Sequence, residues 1–335
     1  MKELIALFNP IIFFTMPETL DDFALSKRIQ KKGSIQKIAV IGCGSMGQEI
    51  TRTVAQHGMD VVFIEISEAK IKEVFQQIDS HLDEVINQWG LTVGEKRVIL
   101  SHIKGSVDFN DIKDADLVIE SINSQRPGTN IEMRKDIFRK IEEVVPKDVV
   151  ITSNNSTLMI SEIASVLKYP ERAAGLHFIS PSSSIKIVEV IRGIETNDVT
   201  FDFVLKFSKM IEKQAIVINE SPGHVSSRLI VTLINEACET LMEGVASVKC
   251  IDTTMKMGYG LLFGPFEMAD RIGLDNLLKW MDNLYAEYGL QKFKASPIIK
   301  RLVRAGYHGL KTGKGFYKYE NGKIISQAIT ATEFK

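Results

Sequence analysis

Between residues 37 and 219 the chain alternates short β-branched runs with longer stretches whose apolar positions recur every three or four residues. KIAVI at 37–41 predicts a buried strand that stops at a glycine cluster, with a helix continuing over 49–56. DVVFI at 60–64 predicts a second strand. Over 70–88, Ile71, Val74, Phe75, Ile78, Leu82, Val85 and Ile86 fall on one side of a helix. DLVI at 116–119 and VVIT at 149–152 predict two more buried strands, separated by a helix from about 131 to 145. GLHFI (175–179) and IKIVEVI (185–191) read as strands joined by a Pro-Ser-rich turn; a helix and a final strand, AIVIN at 215–219, follow. Strands alternating with helices predict a parallel α/β sheet. After Ser221-Pro222-Gly223 the pattern changes, and 228–304 shows helical spacing broken by glycine-rich turns, with no convincing strand. The expected organisation is an extension at 1–36, an α/β domain at 37–219 and a helical domain at 220–335.

A length of 335 residues suits two domains. The net charge of −1 supplies no overall pull toward nucleic acid or an anionic membrane, so neither is an expected partner. Cys43, Cys238 and Cys250 are too few for a disulfide framework and form no C-x-x-C pair, which fits a reducing cytoplasm. The histidines show no H-x-x-x-H pair or dense ligand cluster, so no metal is expected. The apolar stretch LIALFNPIIFF at 4–14 is broken by Asn9 and Pro10, is too short to span a bilayer, and lacks the flanks of a secretory leader. It is expected to pack on the body or on a partner subunit.

Gly42, Gly44 and Gly47 form G-x-G-x-x-G between a strand and a helix, the context in which that pattern binds a dinucleotide. Gly42 permits the tight turn, Gly44 lets backbone approach a pyrophosphate, and Gly47 allows close helix–strand packing. Ser45 and Met46 open the helix whose free N–H groups would face the phosphates. Glu65 ends the second strand, where an acid grips ribose hydroxyls and repels a 2′-phosphate. The expected cofactor is therefore NAD rather than NADP, bound by a Rossmann-type domain. Cys43 is read as a small filler within the turn.

His177 and Glu189 lie on the two strands joined by the short turn, so they could stand side by side. A histidine is a natural base near neutral pH, and a carboxylate on its other nitrogen fixes the tautomer. Spacing alone leaves a buried structural histidine and a solvent-facing strand carboxylate as equal alternatives.

The ordered series GCGSMG, ADLVIES, SNNSTL, PERAAGLHFISP, KIVEVIRG, ESPGHVSSRLI, NEACETLMEGVAS, GPFEMADRIGLD and GLKTGKGFYKY resembles the 3-hydroxyacyl-CoA dehydrogenase (3-hydroxybutyryl-CoA dehydrogenase) family over 37–319. The resemblance implies a Rossmann domain carrying a catalytic pair, followed by an all-α domain that makes a homodimer. It implies His177 as base, Glu189 as its partner and Ser156 as a hydroxyl contacting the substrate oxygen. Lens λ-crystallin is similar to the same family, so an NAD-binding structural protein is the rival from another class.

The chain departs from the family pattern at several points. SPGHVSSR puts His224 and Ser227 where the family has Phe and Asn; Ser227 is expected to act on the substrate through its hydroxyl or a water. HFISP puts Ile179 and Ser180 for Phe and Asn. SINSQRPGTN is a longer loop, by default a surface insertion and with Arg126 and Pro127 a candidate substrate loop, and Glu84, Gln88 and Gly90 occupy positions that are usually basic. Fewer cations for a nucleotide phosphate make an acyl-carrier-protein thioester the alternative to acyl-CoA, with a short oxygenated acyl group of a secondary-metabolite pathway. In the helical domain, Leu229, Ile230, Leu233, Ile234, Ala237, Leu241 and Met242 form a stripe read as core or dimer interface. Met242, Met255, Met257 and Met268 are read as core fillers.

Overall fold

The computed structural model describes residues 35–123, 130–179 and 185–329. The extension up to residue 34, the Gln125-Arg126-Pro127 loop and Ser180 lie outside the described residues. Eight strands form one sheet: β1 (Lys37–Ile41), β2 (Asp60–Ile64), β3 (Ile103–Ser106), β4 (Leu117–Glu120), β5 (Val150–Ser153), β6 (Ala173–Phe178), β7 (Ile187–Arg192) and β8 (Gln214–Asn219). Their order is β3-β2-β1-β4-β5-β6-β7-β8, and every neighbouring pair is parallel except β6 with β7. A strand covered on both faces needs a continuous apolar run, and β1 supplies one in Ile38, Ala39 and Val40, all fully buried. The chain order reverses at β1, which has β2 on one side and β4 on the other. The carboxyl ends of the strands at such a point are where open α/β sheets hold ligands.

Helices cover both faces. α1 (Ser45–Gln56), α2 (Glu68–Asn87), α3 (Val93–Ser101) and α6 (Asp198–Met210) share one apolar layer with the sheet, α4 (Ile131–Val144) and α5 (Ile160–Ala164) the other. Ile35, assigned to the extension in the sequence reading, is packed into the first layer. Two expected strands begin and end one residue later, so that Glu120 and Ser153 become buried strand ends rather than loop residues. α3 and β3 were not foreseen. α3 buries only Ile99, so it has no apolar stripe to read. Its start is instead held by a reciprocal cap between Thr92 and Glu95, a T-x-x-E signal present in the sequence.

The helical domain packs α7 (Ser226–Met242), α8 (Val248–Thr253), α9 (Pro265–Ile272), α10 (Leu274–Tyr288) and α11 (Pro297–Arg304) around its own core. Of the expected α7 stripe, Ile234, Ala237 and Leu241 are buried and Ile230 and Met242 pack against the core, while Leu229 is exposed; Val231 and Cys238, outside that stripe, are buried with it. Met242 and Met268 pack against the core, but Met257 is 83% exposed and fills nothing. A hairpin of β9 (Tyr317–Glu320) and β10 (Lys323–Gln327) completes this otherwise helical domain. Its turn is Asn321-Gly322, both with positive φ, the pair that two-residue hairpin turns favour.

Candidate active site

Antiparallel pairing of β6 with β7 sets His177 directly opposite Glu189. Opposed residues in such a ladder project from the same face with Cβ atoms about 4.5–5.5 Å apart. His177 Nδ1 lies 2.7 Å from Glu189 Oε2, and both side chains are buried. Ser226, at the first turn of α7, donates its N–H to Glu189 Oε1 and its hydroxyl to Oε2, each at 2.8 Å. Burial pushes the Glu189 carboxyl upward, but the His177 hydrogen bond and charge and the two Ser226 donors outweigh it. The carboxyl is held below its ordinary range. An ionised Glu189 accepts from Nδ1–H, which leaves Nε2 of a neutral imidazole as the basic nitrogen. Nε2 lies 3.1 Å from Ser156 Oγ.

The turn carrying Ser156 is fixed by its neighbours. Asn155 Oδ1 accepts the N–H groups of Thr157 and Leu158 at 3.1 and 2.6 Å. Asn154 Oδ1 accepts the Phe178 N–H at 2.8 Å, tying the turn to β6 one residue from His177. Beneath it, Glu120 accepts the Ser153 hydroxyl at 2.6 Å and the Ile122 N–H at 2.7 Å, and pairs with Arg134. Ser226, Asn154, Asn155 and Glu120 were not singled out from the sequence. The signal for Glu120 was a carboxylate closing an apolar strand; Ser226 is one residue from the expected Ser227.

Ser227, the next residue, makes no hydrogen bond to the pair. Its hydroxyl is buried and makes no hydrogen bond among the described residues. His224 is buried, with its ring 5.5 Å from that of His177 and Nε2 donating to the Asn155 carbonyl at 3.1 Å. Burial, then the neighbouring His177, push its pKa down to about 4. A neutral His224 braces the Ser156 turn and is unsuited to be a second base.

Ser156 and His177 stand on the wall of a cavity of about 830 Å³ that also reaches Gly44, Ser45 and Met46. The glycine turn fits a dinucleotide. Gly42 has φ +86, and a Cβ there would meet Ile122 at 2.9 Å; a Cβ on Gly47 would meet the Gly42 carbonyl oxygen at 2.2 Å. A Cβ on Gly44 would meet nothing within 4 Å, so this backbone is open to the cavity. Gly44 caps α1 without a side-chain bond, and no acid lies in the first turn, which leaves N–H groups and the positive helix end for an anion. Glu65 reaches back to accept the Cys43 N–H at 2.7 Å and the Ile66 N–H at 3.2 Å, so its carboxylate borders the turn. The Cys43 thiol is buried and pushed up to about 12, consistent with a filler.

The family model described as 3-hydroxyacyl-CoA dehydrogenase, NAD binding domain, matches residues 37–221, and that of the C-terminal domain matches 223–319. A 3-hydroxybutyryl-CoA dehydrogenase of Clostridioides difficile is 38% identical over 283 residues, 84% of this chain and 99% of that protein. The crystal structure of (S)-3-hydroxybutyryl-CoA dehydrogenase PaaH1 from Ralstonia eutropha superposes with a TM-score of 0.76 at 36% identity, covering 86% of this chain and all of that one. The structure of FadB2 from M. tuberculosis gives 0.81 at 29% identity, with the same shares covered. The chain belongs to the 3-hydroxyacyl-CoA dehydrogenase family. It is an NAD-dependent oxidoreductase of that type.

Proposed function

We propose that the protein interconverts 3-hydroxyacyl and 3-oxoacyl thioesters, with His177 as the base. The observation that carries this is the buried Glu189–His177–Ser156 series ending on the same cavity as the glycine turn. Bound NAD supplies the hydride acceptor; Gly42, Gly44, Ser45, Met46, Gly47 and Glu65 are the residues that would hold it. As the C3–H bond of the substrate breaks, Nε2 of His177 takes the proton of the C3 hydroxyl and the C–O bond becomes a carbonyl. Glu189 stabilises the imidazolium, and Ser226 keeps Glu189 ionised and oriented. Ser156 donates to the reacting oxygen, and the Ser227 hydroxyl, which makes no hydrogen bond among the described residues, is the second candidate donor to it.

Acyl-CoA is the substrate form that the names of the relatives support. A carrier-protein thioester is the second reading. The α2 part of the cavity wall, Gln76, Gln77, Ser80, His81 and Glu84, offers a phosphate no Lys or Arg and favours it, whereas Arg52, Arg134, Arg271, Lys279 and Lys311 elsewhere on the same wall favour acyl-CoA. A homodimer is favoured by Met257, Tyr259 and Leu262, large apolar side chains exposed in one short stretch of the helical domain. A division of the body near residue 220 follows the two apolar cores, and the free thiols fit a reducing compartment such as the cytoplasm. No helix among the described residues is long and apolar enough to cross a membrane.

The test is NADH absorbance with NAD and 3-hydroxybutyryl-CoA, beside the reverse reaction with acetoacetyl-CoA. Turnover in both directions is expected. No turnover with CoA thioesters but activity on the same acyl group attached to a carrier would select the second reading. Silence with both, with NAD still bound, would return the protein to a structural role.

A further inference from the structure

α10 has two unlike faces. Leu274, Leu277, Met281 and Leu284 are buried in the helical-domain core. Asn276, Lys279, Trp280 and Asn283, spaced i, i+3, i+4 and i+7, line the cavity that contains Ser156 and His177. A small-molecule pocket is ordinarily lined by apolar side chains with a few placed polar groups. Here one helix contributes two carboxamides and an ammonium to the wall.

This face is next to the chemistry. Asn283 Nδ2 donates to Thr157 Oγ1 at 2.9 Å, and Thr157 follows Ser156, whose hydroxyl meets His177. Asn276 Oδ1 accepts from Asn123 Nδ2 at 3.1 Å, just beyond the end of β4. Burial pulls the Lys279 ammonium below its ordinary range, as expected of a cation partly withdrawn from water beside the cavity. Trp280 packs against the domain core as well as the cavity, and adds bulk that a long chain would have to displace. Asn276 is bonded at both ends of its carboxamide, to Asn123 and to the Ile272 carbonyl, so Asn283 and Lys279 are the groups to which an oxygenated ligand could add a polar contact and an alkyl chain could not. A site that hydrogen-bonds its ligand discriminates strongly against an analogue lacking the partner group.

We propose that the α10 face selects a short acyl group bearing an oxygen function beyond C3, read by Asn283 and Lys279. This rests on the dehydrogenase reading above. It names the substrate class of the same site.

Pantetheine thioesters test it, because their arm is common to CoA and carrier-bound substrates. The thioesters of 3-hydroxybutyrate, 3,4-dihydroxybutyrate and 3-hydroxyglutarate are compared for NADH formation. At least one oxygenated substrate is expected to exceed 3-hydroxybutyrate by about tenfold or more in kcat/KM. A hydroxyl-ended winner assigns the main contact to Asn283, a carboxylate-ended winner to Lys279. Asn283→Val and Lys279→Met then shift the preference toward the methyl-ended substrate, each by more for its own partner. Equal rates, or a preference for the methyl-ended substrate, overturn the proposal.

A binding measurement separates this from failure of the dehydrogenase reading. Butyryl, 4-hydroxybutyryl and glutaryl pantetheine lack the reacting hydroxyl and are titrated into the wild-type chain, followed by Trp280 fluorescence. Tighter binding of an oxygenated ligand supports the proposed class even if no substrate is oxidised. Equal binding of all three, or binding of none, counts against it even if 3-hydroxybutyryl thioester is turned over.

Discussion

At the carboxyl ends of β5 and β6 and the amino end of β7, a histidine, a carboxylate and two serines are drawn together; in the helical domain, two aspartates and two tyrosines are. Both networks are largely buried and rich in charge-assisted bonds. In the second, Asp252 accepts from the Phe266 and Glu267 N–H groups and from the Tyr317 hydroxyl, all at 2.8–2.9 Å. Asp270 accepts from the Phe316 and Tyr317 N–H groups and the Tyr319 hydroxyl at 2.9–3.0 Å. Every oxygen of the two aspartates is engaged within its own domain, and the bonds pin the β9 hairpin to α8 and α9. Gly315 belongs to this network, since a Cβ there would meet the Asp270 carboxylate at 1.9 Å. In the first network the bonds run one way, from Ser226 through Glu189 to His177, and end with Ser156 and the imidazole at a cavity wall. Burial and hydrogen bonding do not distinguish a site from a brace. Asp270 also borders that cavity, but both its carboxylate oxygens are taken up within its own domain; the difference lies in whether the last group keeps a donor or acceptor for a ligand.

The comparison can be broken from either side. His177→Ala should lower turnover by about 10²–10⁴-fold with NAD affinity kept, the usual share of a general base. Near-normal steady-state rates would move the histidine into the bracing class. Asp270→Ala should do the reverse. It orphans three buried donors, so a stability loss of about 3 kcal/mol or more is expected, seen as a lower midpoint in urea. An unchanged midpoint would show that the hairpin is held by its apolar contacts alone.

Asp270 also predicts a pH dependence. Burial outweighs its donors and pushes the carboxyl from 3.8 up to about 7. A raised folded-state pKa gives stability that is complete below the unfolded value and lost as pH rises through the folded one. Tm should therefore decline between about pH 4 and 7, and Asp270→Asn should flatten that decline. A slope equal to that of the wild type would assign it to another group.

The smallest effect is expected at Ser226→Ala, which removes one hydrogen bond to a charged acceptor. Turnover should fall about tenfold. Because the hydroxyl helps to hold Glu189 low, its pKa should rise, moving the acid limb of the kcat profile to higher pH. A lower rate with an unmoved profile would mean that Ser226 only packs.

Much of the fold was legible because its signals are local. β1 and β2 were bounded to the residue by continuous apolar runs, and the glycine turn was placed by its position between a strand and a helix. α3 escaped because it buries one residue and relies on a cap. The β9 hairpin escaped because its strands are short, although Asn321-Gly322 is a turn signal and Tyr317 and Tyr319 alternate inward. Val231 in the buried row of α7 was missed for a different reason. Leu229 and Val231 are equally apolar, and only the neighbouring helices decide which one is covered.

The sequence by itself determined the element order, the NAD turn and the residue types that the chemistry needs, since each depends on spacing along the chain. Whether His177 and Glu189 meet depended on the antiparallel register of β6 and β7, which pairs residues twelve positions apart only after the sheet is built. That Ser226 rather than Ser227 bonds Glu189 depended on one hundred degrees of rotation about a helix, set by what α7 packs against. That the polar row of α10 faces the cavity was also decided at this level, because the opposite row is taken up by the helical-domain core.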